Sequence, residues 1–137
     1  MERPILYVNA CVRKESRTRK LAEKLLSELG KPYEELRLEE MDFSVVNEKY
    51  LDKRDQLISK GDFQNQMFDL AWQFSEAEII VIAAPFWDLS FPAVLKQYFE
   101  QINVVGITFQ YSEDGIPAGL CRAGRLFYVT TAEIGRA

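Results

Sequence analysis

The chain has 137 residues, of which 47% are hydrophobic and 28% charged, enough for one domain with a real core and too few for two ordinary ones. Its net charge is -4 and its basic residues are scattered rather than massed, which argues against binding to a nucleic-acid backbone. Histidine is absent, which removes the usual general base and the commonest metal ligand.

"MERPILYVNA" has no basic segment followed by a long apolar one, and no run of about 18 apolar residues occurs, so no membrane span is expected and a cytoplasmic location is. Cys11 and Cys121 lie in unrelated segments without CxxC spacing, a poor framework for a disulfide or a metal. Any chemistry must therefore come from elsewhere, and a bound organic cofactor is the obvious candidate.

In chain order, "ILYVNA" (5 to 10) is a short β-favouring run, and Leu21, Ala22, Leu25, Leu26 and Leu29 then recur at helical spacing from about Ser16. Gly30 and Pro32 stop that helix, and "YEELRLEE" (33 to 40) alternates as an edge strand would. A short helix or loop is expected before Gly61 and a longer helix over about 62–76, where Phe63, Met67, Leu70, Ala71 and Phe74 share one helical face. "EIIVIAAP" (78 to 85) is continuously apolar, as a central parallel strand is. Pro92 suits the first turn of the next helix, residues 106–125 read as an irregular hairpin excursion around Asp114-Gly115, and "RLFYVTT" (125 to 131) reads as a fourth strand. Alternation of this kind predicts an α/β fold with helices on both faces of the sheet.

In an open α/β sheet the ligand lies beyond the carboxyl ends of the strands. Three strand-end loops meet that condition. "CVRKESRT" carries Ser16 and Thr18 at a helix start among Arg13, Lys14, Arg17 and Arg19; it suits a phosphate, or Ser16 is simply a helix cap. "PFWDLS" offers Phe86 and Trp87, with Leu89 and Phe91 near by, as cover for a planar ligand or as packing beneath neighbouring helices or at a subunit contact. "TAEIG" closes the fourth strand. A phosphate end and an aromatic end on one sheet edge describe a mononucleotide with a flat ring, and flavin mononucleotide (FMN) fits that description. There is no GxxxxGK[ST] or GxGxxG.

"AEIIVIAAPFWDLSFPAVLKQYFEQI", then "GITFQYSEDGIPAGL", then "VTTAEIG", resembles the flavodoxin-like NAD(P)H:quinone oxidoreductases, in particular the FMN-dependent NADH azoreductase branch. The resemblance implies a doubly wound parallel sheet in the order 2-1-3-4, with the fifth strand missing or supplied by a partner, and residues 1–137 as a single FMN-binding domain. It makes Cys11, Ser16, Arg17 and Thr18 phosphate-loop positions. Pro85, Phe86, Trp87, Asp88 and Leu89 would border the isoalloxazine, and Thr131, Ala132, Glu133 and Gly135 would lie near its pyrimidine or dimethylbenzene side.

The implied activity is transfer of hydride from NADH or NADPH through the flavin to a quinone, azo or similar acceptor, in a homodimer or larger homo-oligomer. On this reading no side chain is a chemical catalyst, and the protein supplies binding and ring orientation. Two other functions are compatible: a truncated, inactive flavodoxin-like binding or structural protein, and an NADPH-dependent reductase with FMN as substrate. Asp88 stands where the family usually has asparagine, so a carboxylate would face the negative charge of a reduced flavin.

Overall fold

The computed structural model describes residues 5–132. Four strands, β1 (Ile5–Asn9), β2 (Tyr33–Arg37), β3 (Ile79–Ala83) and β6 (Arg125–Val129), form one parallel sheet in the order β2-β1-β3-β6. This is the expected 2-1-3-4 arrangement. The numbering gap is the hairpin excursion, in which β4 (Phe109–Tyr111) and β5 (Pro117–Gly119) pair antiparallel as a separate small sheet.

β1 and β3 are buried at every position, as strands flanked on both sides and covered on both faces must be. Their side chains alternate between two cores. Leu6, Val8, Ile80 and Ile82 face α3 (Asp69–Glu76) and α4 (Ala93–Ile102), where Leu95, Tyr98 and Ile102 are buried with them. Ile5, Tyr7, Ile79 and Val81 face α1 (Arg17–Leu29), which buries Ala22 and Leu26, one turn apart. Gly30 ends α1 in the left-handed conformation, its N–H returning to the Leu26 carbonyl.

The middle of the chain departs from expectation. Residues before Gly61 form a full helix, α2 (Glu48–Lys60), because Asn47 caps it through the Tyr50 N–H and Gly61 closes it at φ 71°. The following helix is shorter than 62–76. A 3-10 turn over Gln66–Phe68, capped by Asn65, precedes α3, and Phe63 lies outside the helix, its carbonyl accepting the Trp72 indole N–H at 2.7 Å. Phe63, Phe68, Val104 and Ile107 form a third cluster with Leu57 and Ile58 of α2. The edge strand also ends early, at Arg37, where a 3-10 turn buries Leu38.

β6 pairs with β3 on one side and meets no strand on the other among the described residues. Leu126 and Tyr128 are exposed on it. No helix among the described residues is long and apolar enough to cross a membrane.

Candidate functional site

The carboxyl ends of β1, β3 and β6 open onto one groove of about 840 Å³. Val12, Arg13, Glu15, Ser16, Arg17 and Thr18 form one side of its lining; Pro85, Phe86, Trp87, Asp88 and Leu89, with Thr131 and Ala132, form the rest. Three loops distant in sequence thus meet at the sheet edge where a parallel α/β fold keeps its ligand.

Thr131 holds them together. Its hydroxyl lies 2.7 Å from that of Thr18 in the first turn of α1, and its carbonyl accepts the Phe86 N–H at 3.0 Å. The Ser16 hydroxyl accepts the Arg19 N–H, so Ser16 is a true helix cap as well as a groove residue. The N–H groups of Arg17 and Thr18 have no intrahelical acceptor by position, and they carry the positive end of the helix dipole. Arg13 and Arg17 form no ion pair among the described residues, whereas Glu15 is bridged to Lys20 at 3.2 Å and Arg19 to Glu23 at 3.7 Å. This side of the groove therefore presents two unneutralised guanidinium groups beside free amides, the donor set that an anion requires.

Cys11 is placed differently from its neighbours. Its N–H donates to Asn9 Oδ1 at 2.9 Å and its thiol points to the Ala83 carbonyl at 3.8 Å, so it turns into the core beneath the loop and does not line the groove. Burial pushes its thiol pKa up, against a smaller opposing pull from the Ser16 hydroxyl.

On the other side, Trp87 and Ser90 exchange both backbone hydrogen bonds, 3.0 and 2.7 Å, closing a two-residue turn with Asp88 at φ 49° and Leu89 at φ 63°. Positive φ at both central residues is the primed hairpin turn, normally built on Asn-Gly. An aspartate tolerates that conformation and a leucine does so under strain. The turn presents Phe86, Trp87 and Leu89 to solvent, Leu89 being 89% exposed, with the Asp88 and Leu89 N–H groups unbonded among the described residues. Phe91, four residues on from Trp87, instead packs edge-on against Phe99 at 5.6 Å and joins the core. The aromatic stretch thus divides into a groove wall and a packing residue.

Of the residues singled out in the sequence, Ser16, Arg17, Thr18, Pro85, Phe86, Trp87, Asp88, Leu89, Thr131 and Ala132 are brought together here. Glu133 and Gly135 lie outside the described residues. Of the basic residues named in the same loop, Arg13 also joins the lining and Lys14 and Arg19 do not; Val12 and Glu15 are additions, for which the run of residues between the end of β1 and the Ser16 cap was the available signal.

A parallel sheet with helices on both faces, and a cationic helix start facing an aromatic turn across a groove at the strand ends, is the arrangement of a doubly wound α/β domain. The chain belongs to the flavodoxin-like fold family, which it matches over residues 3–136. It is 39% identical over 118 residues to an FMN-dependent NADH:quinone oxidoreductase of Coprothermobacter proteolyticus, an alignment covering 81% of this chain and 59% of that one. It is 37% identical over 134 residues to FMN-dependent NADH:quinone oxidoreductase 2 of Clostridium acetobutylicum, covering 93% and 66%. Among solved structures, the azoreductase of Bacillus anthracis superposes with a TM-score of 0.81 at 25% identity, covering 96% of this chain and 69% of that one. The chain thus spans 59% and 66% of the length of these two curated relatives.

Proposed function

We propose that the protein is an FMN-dependent oxidoreductase that passes hydride from NADH or NADPH, by way of bound flavin, to a quinone, azo compound or similar acceptor. The observation that carries this reading is the meeting in one groove of Arg13 and Arg17, which form no ion pair among the described residues, with an exposed aromatic turn. The residues present fit the cofactor at both ends. Arg13, Arg17 and the first amides of α1 suit its phosphate, and Phe86, Trp87 and Leu89 suit its ring system. The names of the relatives support the same choice.

When bound, the flavin supplies the redox chemistry, and the protein supplies the geometry. Arg13 and Arg17 would neutralise and anchor the phosphate end. The Asp88 and Leu89 N–H groups offer donors to the polar edge of the ring, and the side chains of Phe86, Trp87 and Leu89 keep water from its apolar part. Thr131, bonded to both Thr18 and Phe86, would hold these two sides at a fixed separation around the cofactor. Residues 1–137 act as one FMN-binding domain in this reading.

A second copy of the chain is the partner we propose, because β6 has no partner strand on its outer side among the described residues and exposes Leu126 and Tyr128, surfaces a second copy would cover. Light scattering should report a dimer or larger assembly, and a stable soluble monomer would count against it.

The decisive test of activity is purification, search for a flavin absorbance spectrum, and anaerobic addition of NADH. Bleaching supports the reading; failure to take up flavin on reconstitution refutes it. A spectrum that neither NADH nor NADPH bleaches would favour the second reading, a flavin-binding relative without turnover, for which the acidic Asp88 on the groove wall is the motivating feature. Trp87→Ala should weaken FMN binding; unchanged affinity would move Trp87 from the ring to a packing role.

A further inference from the structure

We infer that Asn9 is a positioning residue for the anion-binding loop, held in register by Glu35 and Arg37 on the neighbouring strand. The inference rests on the proposal that this loop takes the flavin phosphate.

Asn9 is the last residue of β1 and is 4% exposed, so its amide must find partners within the protein. It has two. Oδ1 accepts the Cys11 N–H at 2.9 Å, turning the chain off the strand, and Nδ2 donates to Glu35 Oε2 at 3.1 Å. An N–H can only donate and a carboxylate can only accept, so these two neighbours dictate which way the amide faces. The same Glu35 oxygen accepts Arg37 Nε at 3.0 Å, and Arg37 lies directly opposite Asn9 in the β1–β2 pairing.

The consequence falls on the groove. With the Cys11 N–H directed at Asn9, the Ala10 N–H on the Ala83 carbonyl at 2.8 Å and the Cys11 thiol against the same carbonyl, the root of the loop is tied to both neighbouring strands. The groove lining begins one residue on, at Val12, and includes Arg13, Arg17 and Thr18, whose placement depends on how the chain leaves Asn9. Removing the amide would leave the Cys11 N–H without its acceptor and the loop without its departure angle.

The test compares FMN with riboflavin, which lacks the phosphate, by fluorescence titration of the full chain. The wild type should bind FMN more tightly than riboflavin. Asn9→Ala should weaken FMN by about tenfold, the scale of one well-placed hydrogen bond, and riboflavin by less than about twofold. Asn9→Asp places a carboxylate against Glu35 and should also weaken FMN selectively. Asn9→Asp with Glu35→Gln should restore it, since the new carboxylate accepts from both Cys11 and the Gln amide at unchanged net charge. The exchange carries the test even where Asn9→Ala does not fold. Equal losses for both flavins, or a double variant no better than Asn9→Asp, would overturn the positioning role. A wild type that binds FMN and riboflavin equally, or binds neither, would overturn the phosphate reading and this inference with it.

Discussion

The hydroxyl pair between Thr18 and Thr131 makes an asymmetric prediction. The two residues are 113 positions apart and their oxygens are 2.7 Å apart. Thr18 is 1% exposed, whereas Thr131 is half-buried. Thr131→Val is nearly isosteric and removes one hydroxyl, leaving that of Thr18 buried without its partner, at a cost of about 1–3 kcal/mol. Thr18→Val removes the buried hydroxyl and leaves that of Thr131 able to reach water, so only the net value of a hydrogen bond is lost, about 1 kcal/mol. The expected order of destabilisation is therefore Thr131→Val above Thr18→Val. The double variant should fall short of the sum by about 1 kcal/mol. Urea unfolding resolves these differences as shifts in midpoint at constant slope. The reasoning fails if Thr18→Val is the more damaging change, or if Thr131→Val lies within about 0.5 kcal/mol of the wild type, the scatter of ordinary surface substitutions.

Leu89→Gly should raise stability by about 0.5–1 kcal/mol, because a leucine at φ 63° is strained, its side chain is 89% exposed, and relief exceeds the added chain entropy of glycine; a lower melting temperature would refute this. Gly106→Ala should cost about 3 kcal/mol, since φ is 95° there and a Cβ would lie 3.0 Å from the Phe63 ring; a wild-type unfolding midpoint would exclude that clash. Stability should fall in alkali. Burial raises the pKa of Cys11 above its usual 9.0 and those of Tyr7 and Tyr98 above 10.0, so the unfolded chain releases protons that the folded one retains. That contribution is fully present below about pH 9 and declines as pH rises through 9 and 10. Urea midpoints that stay level from pH 8 to pH 11 would contradict it. Finally, Asp88→Asn keeps a residue that tolerates positive φ while removing a negative charge from the groove wall, so the midpoint potential of bound flavin should rise with the fold unchanged; an unaltered potential would place the carboxylate too far from the ring to matter.

The order and type of most elements follow from local pattern. The continuous apolar run from Ile79 to Ala83 has no polar face to offer water, and Leu21 to Leu29 has one, so a central strand and a surface helix could be read directly. The 2-1-3-4 order came with the family resemblance, and the three-dimensional pairing bears it out. Local pattern was weaker where caps outweigh hydrophobic period: Asn47 and Gly61 delimit α2, and Asn65 delays the next helix past Phe63. It could not separate Trp87 from Phe91, since two aromatics four residues apart look alike until Phe99 arrives to pack against one of them. Nor could it show that the Cys11 thiol turns toward Ala83, or that Thr131 joins three loops, because those partners lie up to 113 residues away. Composition and period reveal which segments must be buried and in what form, since each residue's solvation and backbone preference act where it stands. Which hydroxyl, amide or ring meets which other depends on the chain returning to the same sheet edge three times, and that was decided only by the tertiary structure.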